Sequence, residues 1–184
     1  MSKVNTKVII YGGSFNPITN AHVELARMAR VYYRNAQLYW CVSESHAFNK
    51  QYDVSYEARV ELIKKSVQSA NVMPMGKYMM HFLNSLPYDK SNITIIIGSD
   101  ILNDIDKWDS YTELIKNYHF TIGGREGVKF STTAKAILKV MNYTYLDNIG
   151  MISSTKVRDA VKAGQSISDL VPRKIKLDIK ELYK

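Results

Sequence analysis

A single cysteine, Cys41, stands in a chain of 184 residues, so no disulfide can form within it. The histidines are scattered rather than clustered, which leaves that lone thiol without the company a zinc site needs. Cys41 lies inside Leu38-Tyr39-Trp40-Cys41-Val42, a run that reads as a buried strand, where a thiol serves as a small apolar group. No apolar stretch approaches the ~20 residues of a membrane helix, and the first residues lack the apolar core of a targeting signal, so an intracellular protein is expected. Acidic residues are outnumbered, 17 against 25 Lys and Arg, for a net charge of +8. That balance suits polyanionic ligands; it is equally permitted for a nucleic-acid binder, but no stretch reads as a DNA- or RNA-recognition motif. The basic residues are dispersed except at Arg173-Lys174-Ile175-Lys176, a solvated helix face.

What remains is a chain of one domain's length, 46% hydrophobic and 23% charged, able to bury a core without staples. Its focus is the stretch from Gly12 to His22. Lys7 to Tyr11 is a short β-branched strand, Gly12-Gly13 allows a tight turn, and Val23 to Ala29 reads as helix. Such a turn lets backbone approach a ligand, and the helix start offers unpaired N–H groups at the positive end of its dipole. Thr19 is placed as N-cap, and His22, three residues on, shares its face. An anionic phosphate fits this geometry.

Strand and helix patterns alternate along the rest. Gln37 to Val42 is a second strand, and Ser55 caps a helix carrying Arg59, Leu62, Ile63 and Val67. Asn71 to Pro74 suits a sheet edge, because Pro74 cannot donate to a central ladder. Tyr78 to Leu86 is a short helix ending before Pro87. Ile93 to Ile97 is apolar throughout, as in the middle of a parallel sheet covered on both faces, and it runs into Gly98-Ser99-Asp100. Trp108, in a polar stretch, offers a flat face for stacking. Tyr118 to Ile122 is a further strand leading into Gly123-Gly124-Arg125-Glu126-Gly127, which lacks the Gly-Lys-Ser/Thr ending of a P-loop. A helix from Thr132 to Val140 and a strand from Tyr143 to Leu146 follow. Ser153-Ser154-Thr155 then opens another helix, with Lys156 and Arg158 adding charge and Gly164 ending it. Pro172 begins the last helix, with Ile175, Ile179 and Leu182 expected to pack back on the body. The expectation is an α/β fold, a Rossmann-like open parallel sheet with helices on both faces, in one domain over 1–184 with a helical C-terminal segment from about 153 to 184.

Gly12 to His22 resembles the first signature of the nucleotidyltransferase superfamily, and Gly13-Ser14-Phe15-Asn16-Pro17-Ile18-Thr19-Asn20 resembles its form in the nicotinamide and nicotinate mononucleotide adenylyltransferases. Ala21 replaces a glycine of the general pattern. Ile152-Ser153-Ser154-Thr155-Lys156-Val157-Arg158 resembles the second signature, and Gly98-Ser99-Asp100 the family's Gly-Ala-Asp segment. The resemblance implies adenylyl transfer from ATP to a pyridine mononucleotide, in the biosynthesis of NAD or its deamido form, with Mg²⁺ as cofactor riding on the ATP. It implies His22, Thr19 and Arg158 as catalytic; Gly13, Ser14, Phe15, His22, Gly98, Asp100, Ser154, Thr155 and Arg158 as ATP-binding; and Ser14, Phe15, Lys50, Trp108 and Arg125 as mononucleotide-binding, with Arg59 near the mononucleotide. No protein metal site is implied. The attacking phosphate is already ionised at neutral pH, which accounts for the lack of an evident acid/base pair. Sister transferases using phosphopantetheine or flavin mononucleotide, a nucleic-acid-binding module and a silent nucleotide sensor are the alternatives. No membrane partner is expected, and exposed tyrosines are candidates for contact between copies in a homo-oligomer.

Overall fold

The computed structural model describes residues 6–45, 51–147 and 150–184. Six parallel strands form one sheet: β1 (Val8–Gly13), β2 (Gln37–Ser43), β3 (Asn71–Met75), β4 (Ile93–Gly98), β5 (His119–Gly123) and β6 (Asn142–Leu146), in the order β3-β2-β1-β4-β5-β6. Between and after them run helices α1 (Asn20–Tyr32), α2 (Tyr56–Ser66), α3 (Met79–Ser85), α4 (Tyr111–Asn117), α5 (Thr132–Leu138), α6 (Ser154–Lys162) and α7 (Lys176–Leu182). Parallel strands need such crossovers, and the crossovers cover both faces of the sheet.

Strand alternation decides which residues meet which helices. On β1, Val8 and Ile10 join a core with α3, α4 and α5, while Ile9 and Tyr11 join the opposite core with α1, α2, α6 and α7. On β4, Ile93, Ile95 and Ile97 face the first core and Ile96 the second. Each such isoleucine is fully buried, which stabilises the sheet by about 1.5–3 kcal/mol per side chain. Ile95→Ala, by opening a cavity in the middle of the first core, would cost about 2–5 kcal/mol. Pro74 pairs opposite Val42 on β3, at the sheet's edge as expected.

Strand order reverses between β1 and β4, so the connections leave these two neighbours in opposite directions and open a crevice beyond their C-terminal ends. Gly12-Gly13 ends β1 and Gly98 ends β4 at that crevice. Two features depart from expectation. Helix α4 has no counterpart in the apolar pattern, because only Leu114 and Ile115 of its seven residues are buried. At the C-terminal end, one 3-10 turn (Arg173–Ile175) follows Pro172 before α7 begins, and the buried row continues from Ile175 and Ile179 to Tyr183. Leu182, 40% exposed, stays outside the buried core, and Tyr183 fills the place expected of it.

Candidate active site

The crevice holds a cleft of about 550 Å³. Its floor is the β1 turn. Phe15 stands at φ +46, a left-handed conformation costly for a non-glycine residue, and its ring turns inward onto Tyr11, Trp40 and His22. Only 2% of Phe15 is exposed, so the residue offers the cleft its backbone rather than its ring.

His22 lies on the first turn of α1, where Thr19 is the N-cap, and the two residues form a reciprocal capping box. The Thr19 N–H donates to His22 Nδ1 at 3.0 Å, and the Thr19 hydroxyl lies 2.9 Å from the same nitrogen. A nitrogen that accepts a backbone N–H carries a lone pair, so the proton of the neutral ring sits on Nε2. Burial, with the Arg125 guanidinium adding to it, pushes this imidazole down to about 3. His22, a cleft residue, is therefore a neutral hydrogen-bond donor and not an imidazolium. Thr19 differs from expectation: its side chain is fully buried and its hydroxyl is occupied with His22 and the helix cap. It positions the histidine and does not face the cleft.

The opposite wall is cationic. Arg125 leaves the end of β5, its N–H donating to Ser99 Oγ at 3.0 Å and its NH1 lying 3.3 Å from Asp100 Oδ2. Gly98 sits directly beneath that pair: a Cβ there would meet the Asp100 carboxylate and come within 3.5 Å of Arg125 Nε. Arg158, on α6, is held by three groups. Its Nε is 3.2 Å from Asp53 Oδ2, its NH1 donates to the Asn16 carbonyl at 2.7 Å, and its NH2 donates to Thr155 Oγ1 at 3.3 Å. Ser154 Oγ donates to the Pro17 carbonyl at 2.8 Å, fastening the start of α6 to the β1 turn. Ser153 is the N-cap, its hydroxyl accepting from the Lys156 N–H.

The structure thus brings Gly13, Ser14, Phe15, His22, Gly98, Asp100, Trp108, Arg125, Ser154, Thr155 and Arg158 to one cleft. Trp108 is half-buried, packed partly on the core with α3, α4 and α5. Lys50 lies outside the described residues. Arg59, expected near a mononucleotide, is fully buried and does not line the cleft; its guanidinium bonds the carbonyls of Ser14 and Ser43.

Sequence reading passed over Asp53 and the side chain of Asn16. Asn16 Nδ2 donates to Asp53 Oδ2 at 2.9 Å, and the buried Tyr183 hydroxyl donates to Asn16 Oδ1 at 2.8 Å. Asn16 lay in full view within the first signature, but its partners are 37 and 167 residues away and nothing local announces them.

Among the described residues, no three His, Cys, Asp or Glu side chains gather as a metal cage. Asp53, Asp100 and Asp109 line the cleft without forming such a group.

The family model described as Cytidylyltransferase-like matches residues 10–160. The chain is 28% identical over 193 residues to a probable nicotinate-nucleotide adenylyltransferase of Thermosipho melanesiensis, covering 98% of each. It is 29% identical to a protein of that name from Staphylococcus epidermidis, covering 97% of this chain and 96% of the relative. Among solved structures, the Plasmodium falciparum nicotinic acid mononucleotide adenylyltransferase complexed with NaAD superposes with a TM-score of 0.74 at 21% identity, over 97% of this chain and 96% of that one. That likeness establishes the shared fold.

Proposed function

Since the chain belongs to the cytidylyltransferase-like family, we propose that it transfers the adenylyl group of ATP to nicotinate mononucleotide, forming the deamido dinucleotide and pyrophosphate. Relatives named nicotinate-nucleotide adenylyltransferase and matched over nearly their whole length support the reading. The single structural observation that carries it is the cleft itself, where a neutral N–H donor on His22 faces two arginines, Arg125 and Arg158, across the sheet's switch point.

The chemistry asks little of the protein beyond position and charge. The acceptor phosphate attacks the α-phosphorus, and pyrophosphate leaves in line. Both groups are anionic before the reaction begins, so holding them together against their repulsion is the main task. His22 donates from Nε2 to a phosphate oxygen on which charge builds. A neutral donor already in place needs no reorganisation at that moment. Arg158, with Ser154 and Thr155 at the start of α6, stabilises the departing pyrophosphate. Arg125 and Trp108 take the mononucleotide, the first by charge and the second by stacking on the pyridine ring. Among the described residues no group of carboxylates gathers at the cleft as a metal cage, a donor set that would fit a Mg²⁺ carried in on the triphosphate, where it would offset negative charge.

Incubation of the purified protein with ATP, Mg²⁺ and either nicotinate or nicotinamide mononucleotide tests this, with dinucleotide and pyrophosphate followed separately. Stoichiometric formation of both products is expected, faster with nicotinate mononucleotide. Pyrophosphate without dinucleotide, or product only with phosphopantetheine or flavin mononucleotide as acceptor, would overturn the acceptor assignment.

A further inference from the structure

Arg59 has the surroundings of a group with a task, yet it never reaches the cleft. It rises from the first turn of α2 and is 0% exposed. Its hydrogen bonds to the described residues go to main-chain carbonyls: NH1 donates to Ser14 at 2.6 Å and NH2 to Ser43 at 2.9 Å. The guanidinium lies over the Tyr52 ring, 4.0 Å from its centroid, and the Tyr52 hydroxyl is 2.6 Å from Ser43 Oγ. Its Nε has no hydrogen-bond partner among the described residues. Burying a cation among carbonyls and rings is expensive, and a methionine of similar length would fill the same space at less cost. What the arginine adds is a planar fork that grips two carbonyls at once, at the C-terminal ends of β1 and β2.

The gripped carbonyl of Ser14 belongs to the same peptide unit as the N–H of Phe15. In a trans peptide the two point to opposite sides. Fixing the carbonyl on Arg59 therefore turns the Phe15 N–H away from α2, toward the side where Ser14 and Phe15 line the cleft. No protein acceptor for that N–H is found among the described residues. Phe15 also stands at φ +46, a conformation that persists only where neighbouring contacts enforce it, and the grip on the preceding carbonyl is one such contact.

We propose that Arg59 is a positioning residue: by holding the Ser14 carbonyl, it aims the Phe15 N–H into the cleft as a donor to an anionic oxygen of the substrate. The proposal rests on the adenylyl-transfer reading for the identity of that substrate. It differs from a direct role for this arginine in gripping the mononucleotide, since a fully buried side chain touches no ligand.

The test uses protein labelled with ¹⁵N at phenylalanine, whose five residues give a spectrum simple enough to assign. The Phe15 signal is the one lost in Phe15→Leu. In the wild-type protein, inorganic pyrophosphate or nicotinate mononucleotide should move that signal downfield. A Phe15 N–H indifferent to both ligands would sink the proposal without any variant of Arg59. Arg59→Lys keeps the charge and loses the fork; it should abolish the ligand-induced shift and lower kcat/KM by about 10²-fold, the scale of one preorganised donor. Arg59→Lys protein that melts near the wild-type temperature, keeps the Phe15 response and turns over normally would overturn it too. Wild-type protein that makes no dinucleotide would count against the adenylyl-transfer reading, whatever Arg59 does.

Discussion

On the β1 side of the cleft, polar groups are fastened by internal hydrogen bonds: Thr19 holds His22, Arg59 holds the turn, and Phe15 is locked at a left-handed backbone angle. On the side built from β4, β5 and α6, the functional groups are arginines paired with partly exposed carboxylates, Arg125 with Asp100 and Arg158 with Asp53. The first side is finished before substrate arrives. The second is provisional, because a polyphosphate competes with the carboxylate for each guanidinium, Arg158 being anchored as well to the Asn16 carbonyl and the Thr155 hydroxyl. Fixed neutral donors suit the atom where charge appears in the transition state, and exchangeable ion pairs suit ground-state capture of a polyanion. Substitutions on the first side should therefore act on kcat, and those of the second side's carboxylates and its indole on KM, while Arg158, which also steadies the pyrophosphate as it leaves, should affect both.

The strongest way to break this contrast is His22→Ala. Removing a preorganised donor should cut kcat by about 10²-fold or more, with KM for ATP little changed. A rise in KM with kcat preserved would move His22 to the capture side. Next in size is Trp108→Ala, which should raise KM for the mononucleotide about tenfold through lost stacking while kcat holds within a few-fold. Equal losses in kcat and kcat/KM would mean that Trp108 acts only once the transition state forms. Asp53→Asn is smaller and opposite in sign. It removes a carboxylate that competes for Arg158, so KM for ATP should fall two- to fivefold, roughly the worth of a partly exposed ion pair. Unchanged KM would show that ATP never displaces Asp53.

This division also marks where sequence was legible. Strands β1 and β4 were clear from unbroken β-branched runs, and the glycines at their ends placed the crevice. The Rossmann-like sheet expected from alternating elements is the one observed. The residues that line the cleft were legible where they cluster in short motifs, as from Gly13 to His22 and from Ser153 to Arg158. Direction of side chains was not. Thr19 and Arg59 lie in legible stretches, yet one turns into its own helix cap and the other into the core. Periodicity says which face a residue occupies and nothing about which carbonyl it will find. Asp53, Asn16 and Tyr183 meet only through tertiary packing, which brings α7 against the β1 turn. Helix α4 was missed although Ser110 and Glu113 have the spacing of a helix start, because two buried residues make too short a stripe to read.

The smallest expected effect is a flat line. If the β1 side is finished in advance, His22 should keep one protonation state across the working range, since burial and Arg125 push its imidazole down to about 3. In ¹⁵N spectra of the ligand-free protein, the Nε2-protonated tautomer should persist unchanged from pH 8 to pH 5. An imidazolium appearing in that range would place His22 among the adjustable cations instead. The same depression has a consequence for stability, and its sign is fixed. The unfolded chain takes up a proton near 6.5 that the folded chain refuses, so stability is complete above that value and declines as pH falls toward about 3. Between pH 7.5 and pH 5 this one histidine should account for about 2 kcal/mol of lost stability. Urea titrations at the two pH values, run on wild type and His22→Asn, should show that much less pH dependence in the variant. An equal decline in both would mean that the ring is solvated in the folded state and that its donor is not held ready.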